Sequence, residues 1–239
     1  MDVELHHIFK TFGKVEANVD ISLQINAGTI QGILGENGAG KSTLMKILSG
    51  FIQEDSGQIR LNGKPVQIES PADAIQYGIG MLHQDPLDFP PMKVIDNFLI
   101  GQKGKLFPDW RNARKAFARL CKQFDFSLQP DSYVDSLTVG ERQQLEILRL
   151  LWLGVELLIL DEPTTGISAI QKSKLFAALK ILAKEGKAII FVSHKLEDVE
   201  ELCNKVAVLR RGKLVGDMGV PFDARSEEHT SELQSRLHL

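Results

Sequence analysis

The stretch Gly35-Glu36-Asn37-Gly38-Ala39-Gly40-Lys41-Ser42 matches the spacing G-x-x-x-x-G-K-[ST] throughout. It follows a short apolar run, TIQGIL (29–34), and opens KSTLMKILSG (41–50), whose Leu44, Ile47 and Leu48 share one helical face. A loop of this composition between strand and helix can wrap a phosphate in successive backbone N–H groups, provided that side chains do not obstruct it. Hence Gly35, Gly38 and Gly40, with Asn37 and Ala39 between them. Lys41 is expected to reach the β- and γ-phosphates of a nucleotide, Ser42 to ligate Mg²⁺, and Thr43 to bond the α-phosphate. A second acidic element, GVELLILDEP (154–163), is a buried-strand pattern ending in Asp161-Glu162. The end of a parallel strand faces the crevice where ligands bind. Asp161 is expected to hold the Mg²⁺ shell and Glu162 to polarise an attacking water. A strand ending in two acids is by itself often just a solvated strand end; the loop upstream raises it to a site.

Positioning these groups takes an α/β fold. VELHHIF (3–9) and ISLQI (21–25) read as strands, and QIRLNGKPVQI (58–68) as a hairpin about Asn62-Gly63. IGMLHQ reads as a further strand leading to Gln84. Residues 93–153 carry helical periodicity with almost no strand signal, which predicts a helical lobe inserted into the core. A helix (169–185), a strand (187–194), a helix (195–202) and a strand (205–209) follow. The alternation predicts a mostly parallel sheet covered on both faces.

Composition narrows the function. In 239 residues, 28 Lys+Arg against 31 Asp+Glu leave a net charge of −3, which argues against a chain whose main task is neutralising nucleic-acid phosphates. Two distant cysteines, Cys121 and Cys203, form no disulfide framework or metal spacing and read as packing residues of a reducing compartment. The most apolar stretch (148–160) is interrupted by Arg149, Gly154 and Glu156 and is too short to span a bilayer. The basic run from Lys103 to Lys122 reads as a solvated helix face. Residues 225–235, RSEEHTSELQS, coincide with the in-frame translation of a widely used short-read sequencing adapter. The fold is therefore expected to occupy 1–224, with 225–239 an adapter-derived or disordered tail and the gene continuing beyond it.

SLTVGERQQLEILRLL (136–151) resembles the signature motif of ABC-transporter ATPases, L-S-G-G-Q in most members and Leu137-Thr138-Val139-Gly140-Glu141 here. The order of the parts agrees: Phe12, the phosphate loop, Gln84, the signature, Asp161-Glu162, then His194 in FVSHKLEDV. Within that family GENGAGKSTLMKILSG and VGERQQLEIL are similar to the N-terminal cassette of simple-sugar and nucleoside importer ATPases, which usually carry two cassettes on one chain. The resemblance implies a P-loop NTPase core, an N-terminal antiparallel β subdomain and an inserted helical subdomain. It implies ATP stacked on Phe12, and Gln84 sensing Mg²⁺ and the γ-phosphate from a loop lying against a permease. His194 would contact the γ-phosphate, while Thr138, Val139, Gly140 and Glu141 would cap a γ-phosphate bound by a different cassette. The implied partners are that second cassette, integral-membrane permease subunits and, indirectly, an extracytoplasmic substrate-binding protein. No nucleic acid is implied, and the location is the cytoplasmic face of the membrane. QDPLDFPPMKVIDNFLIG (84–101) is the expected permease-docking stretch. Two departures stand out: Val139 replaces the first signature glycine, and Ser168 stands where many relatives have aspartate. The competing reading is a soluble ABC ATPase acting on ribosomes or DNA. A GTPase is disfavoured, because Asn204-Lys205 is followed by Val206-Ala207 rather than completing N-K-x-D.

Overall fold

The computed structural model describes residues 1–84, 87–101 and 109–220. Its elements run β1 (Val3–Phe12), β2 (Val15–Ile25), β3 (Ile30–Leu34), α1 (Lys41–Leu48), β4 (Ser56–Leu61), β5 (Lys64–Val66), α2 (Pro71–Gln76), β6 (Ile79–Leu82) and α3 (Val94–Leu99). They continue with α4 (Trp110–Phe124), α5 (Val139–Trp152), β7 (Leu157–Asp161), α6 (Ala169–Lys184), β8 (Ala188–Val192), α7 (Leu196–Leu202), β9 (Lys205–Arg210) and β10 (Lys213–Gly219). Parts of the docking stretch and of the basic run, and the whole tail 225–239, lie outside the described residues.

Two sheets form. One is antiparallel, ordered β2-β1-β4-β5; the other is ordered β10-β9-β3-β8-β7-β6 and is parallel except for β10. Successive residues of a strand point to opposite faces, and the parallel strands are apolar on both. Leu158, Leu160, Ile189 and Phe191 pack with the helical lobe and α6. Leu157, Ile159, Ile190 and Val192 pack instead with α1 and the inner face of the antiparallel sheet. The expected cover on both faces is therefore present, with helices on one side and α1 plus a second sheet on the other. The inserted lobe is α3, α4 and α5, joined by Phe98, whose ring lies 5.3 Å from those of both Phe117 and Trp152.

Three differences from the sequence reading have physical causes. β2 starts at Val15 rather than Ile21, because Gly13-Lys14 turns the chain back and the polar residues of Val15–Asn18 still pair with β1. α2 and β10 were not anticipated. Ser70 caps α2 by accepting from the Asp73 amide, with Pro71 in its first position. β10 returns through Arg211-Gly212, whose φ values of 49° and 75° match the 49° and 75° at Asn62-Gly63. Both are two-residue turns with positive φ throughout; Asn-Gly advertises that geometry and Arg-Gly hides half of it.

Candidate nucleotide site

β3 ends at Leu34 and the chain then arches over the N-terminus of α1. Gly38 holds φ 82° with open space about it, so an unobstructed loop is what it provides. Gly35 and Gly40 answer to the fold instead. A Cβ on Gly35 would lie 2.4 Å from the Leu209 carbonyl oxygen, and one on Gly40 would lie 2.2 Å from that of Ala17. Gly35 is not among the residues that bound the cavity.

The cavity, of about 500 Å³, is bounded by Phe12, Val15 and Ala17, by Asn37 to Thr43, and by Gln84, Asp161 and Glu162. Four separate segments thus converge on one volume. Val15 and Ala17 were missed, and no motif marks them; they arrive because β2 begins early. Asn18, fully buried behind the loop, donates to the Gly40 carbonyl at 3.1 Å and steadies it.

Lys41 is almost fully buried and donates to the carbonyls of Gly35 at 2.6 Å and Glu36 at 3.0 Å. Burial pushes its ammonium below the usual lysine range, opposed by the negative charges of Glu162 and Asp161. Asp161 is pushed up by burial, partly offset by a hydrogen bond from the Ser42 hydroxyl. A half-buried carboxylate, a hydroxyl bonded to it and the Gln84 side chain on the same cavity make a hard oxygen set of the kind that suits Mg²⁺. Among the described residues no preassembled cluster of three His, Cys, Asp or Glu exists, so phosphate oxygens and water would have to complete the shell.

Glu162 sits at φ 49°, in the left-handed region that non-glycine residues avoid at a cost of roughly 1–3 kcal/mol. Its amide donates to the Val192 carbonyl at 3.0 Å, tying this bend to the end of β8. Just past that end, His194 Nδ1–H donates to Glu162 Oε1 at 3.1 Å. His194 reaches the site through this contact and does not itself line the cavity.

Thr138, Val139, Gly140 and Glu141 lie apart, at the N-terminus of α5 and outside the cavity lining. Thr138 caps the helix: its hydroxyl and amide both donate to Glu141 Oε2 at 2.8 Å, and the Glu141 amide returns to Thr138 Oγ1 at 3.3 Å. Val139 is exposed. This chain therefore presents a cavity at the glycine-rich loop and, outside it, a capped helix N-terminus with Thr138 and Val139 exposed.

The profile of the family described as ABC transporter matches residues 19–165. The chain belongs to that family. Among solved structures, the ADP conformation of an ATP-binding cassette of an ABC transporter superposes with a TM-score of 0.86 at 25% identity, covering 98% of this chain and 99% of that one. A nucleotide-free ATP-binding cassette from an ABC transporter gives 0.84 at 25% identity, covering 100% and 98%. The fold expected from the signature, an ABC ATPase with an antiparallel β subdomain and an inserted helical subdomain, is the fold observed. In sequence the chain is 39% identical over 216 residues to the ribose import ATP-binding protein RbsA of Caldanaerobacter subterraneus subsp. tengcongensis, covering 89% of this chain and 44% of that protein. It is 37% identical over 216 residues to the nucleoside import ATP-binding protein NupA of Lactococcus lactis subsp. cremoris, covering 89% and 42%. The chain thus spans less than half the length of the curated relatives it matches.

Proposed function

We propose that this chain is an ATP-binding and ATP-hydrolysing cassette of an ABC importer, energising uptake of a simple sugar or nucleoside through a membrane permease. The observation that carries it is the division of the site: Lys41, Ser42, Gln84, Asp161 and Glu162 share one cavity while the signature lies outside it, with Thr138 and Val139 exposed. Each cassette then supplies half of a composite site. The names of the relatives, which are import ATP-binding proteins for ribose and for nucleosides, supply the direction of transport and the solute class.

In this reading Phe12 offers its exposed ring to adenine, and Asn37 to Gly40 present amides to the phosphates. Lys41 exchanges its loop carbonyls for phosphate oxygens, and Thr43 bonds the α-phosphate. Mg²⁺, held by Ser42, Gln84 and Asp161, would neutralise charge on the phosphates. Glu162 takes the proton of the attacking water, and His194 orients Glu162 and contacts the γ-phosphate. Thr138, Val139, Gly140 and Glu141 cap the γ-phosphate in the partner cassette. Leu87, Phe89 and Met92 are exposed, and Leu87 lines a groove between α2–β6 and α5, where a permease's cytoplasmic helix would dock. Burying such side chains is worth roughly 1.5–3 kcal/mol each. No helix among the described residues is long and apolar enough to cross a membrane. In this reading the chain is a peripheral subunit on the cytoplasmic face, against the permease.

Lys41→Ala tests the site. Loss of the buried cation should weaken ATP binding by roughly 10–100-fold, as expected for a charged hydrogen-bonding group, with the fold retained. Titration with a fluorescent nucleotide reads it, and unchanged affinity would sink the assignment. Capture of the chain from membranes rather than from ribosomes separates import from the ribosome-or-DNA alternative, which none of the relatives reported above supports by name.

A further inference from the structure

We infer that Gln171 is a positioning residue that locks the first turn of α5 to the start of α6, so that the signature and the Ser168 segment meet a partner cassette as one rigid edge. The inference rests on the composite-site reading for its functional half. Gln171 lies in the first turn of α6, and its side chain spans to α5. Its Nε2 donates to Thr138 Oγ1 at 2.8 Å, and its Oε1 accepts from the Ser168 amide at 3.0 Å. Its own amide donates to Ser168 Oγ at 3.3 Å.

The chemistry requires an amide. The Ser168 N–H demands an acceptor. Thr138 Oγ1 has already given its proton to Glu141 Oε2, so towards Gln171 it can only accept, on the lone pair that the Glu141 amide leaves free. Capping α6 alone would be served equally by glutamate, since either residue completes such a cap. The amide does both, whereas an ionised carboxylate at 171 would lack the donor and stand beside Glu141. Lys172, the next residue, is engaged with Asp198 and Glu201 and does not offset that charge. Gly140 leaves the lane open: a Cβ there would lie 2.7 Å from Gln171 Cδ. The signature glycine thus has a use within its own chain.

The experiment compares wild type, Gln171→Glu and Gln171→Ala in the full chain. Amide hydrogen exchange without nucleotide is the first readout. In Gln171→Glu at neutral pH the Glu141 and Arg142 amides should exchange about three- to tenfold faster while the α6 cap stays protected; Gln171→Ala should loosen both ends. Wild-type exchange at α5 in both variants would overturn the inference. Steady-state ATPase is the second readout. kcat should fall about three- to tenfold with KM for ATP unchanged, because the Lys41 cavity is untouched. The ratio of Gln171→Glu to wild type should recover as pH falls, since a protonated carboxyl regains a donor. A kcat loss without that recovery would overturn the positioning role. A wild-type chain with no ATPase activity at any concentration, alone or with a second cassette added, would instead reject the composite-site reading, and exchange would still decide the lock.

Discussion

At the scale of single residues, the site is a set of groups held in states that water would not favour. Lys41 is buried on two carbonyls, Asp161 is pushed up by burial, and Glu162 occupies a left-handed backbone conformation. In the proposed function, a metal–nucleotide complex would supply charges opposite to those of Lys41 and Asp161. Glu162→Gln isolates the base from the rest: shape and hydrogen bonding persist while proton acceptance is lost. ATP affinity should stay within about twofold of wild type, and single-turnover hydrolysis should fall by at least about 100-fold. Hydrolysis within tenfold of wild type would move the base elsewhere. Nearly all of these residues were legible in the sequence, because phosphate and metal chemistry tolerates few residue types at fixed spacing. Val15, Ala17 and Gln171 were not. They act through where a strand happens to begin and where two helix ends meet, and neither leaves a local pattern.

Among the elements, the junction between α5 and the segment leading into α3 carries an unusual charge cluster. Glu146 is almost fully buried, is paired with Arg149 at 2.7 Å, and is pushed up to about 7 by burial. Arg149 in turn donates to the Leu87 carbonyl at 3.1 Å, and Arg142 faces the partly buried Asp88 at 3.6 Å. Folding therefore retains a proton on Glu146 that the unfolded chain releases near its ordinary value of 4.5. Stability from this group is complete below that value and is lost as pH rises towards 7, by at most about 1.4 kcal/mol per pH unit. Chemical denaturation of Glu146→Gln across this window should give a flatter pH dependence than wild type. An identical slope would show that Glu146 does not titrate there. The periodicity of 93–153 predicted the helices of this lobe, but pattern alone does not say which charged residue of a helix faces inward. Apolar spacing leaves room for Gln143, Gln144 and Glu146 on the buried side of α5, and all three are there.

For the molecule as a whole, the proposed function makes activity the property of an assembly, because the signature lies outside the cavity of its own chain. Specific ATPase activity per chain should rise with protein concentration across a dilution series and should rise again on adding a second cassette. A high rate independent of concentration would refute the composite site. The same global view explains what the sequence reading did with the sheets: alternation of strands and helices predicted the parallel order, whereas the antiparallel edge β10 had only an Arg-Gly turn to announce it.

The strand order also sets a timetable for synthesis. β3, which launches the phosphate loop, pairs with β8 and β9 alone, and β8 begins only at Ala188. At roughly 5–20 residues per second, β3 waits on the order of ten seconds on the ribosome with both faces apolar and both edges open. The antiparallel sheet, complete by Val66, has no such wait. Nascent chains stalled before β8 emerges should therefore be cut by protease within the phosphate loop while β1 to β5 resist, and chains stalled after Arg210 has cleared the exit tunnel should resist at both. Early protection of the loop would mean that some other segment shelters β3 during its wait. The loop that follows β3 is thus translated early, while the strands that hold β3 in place come late.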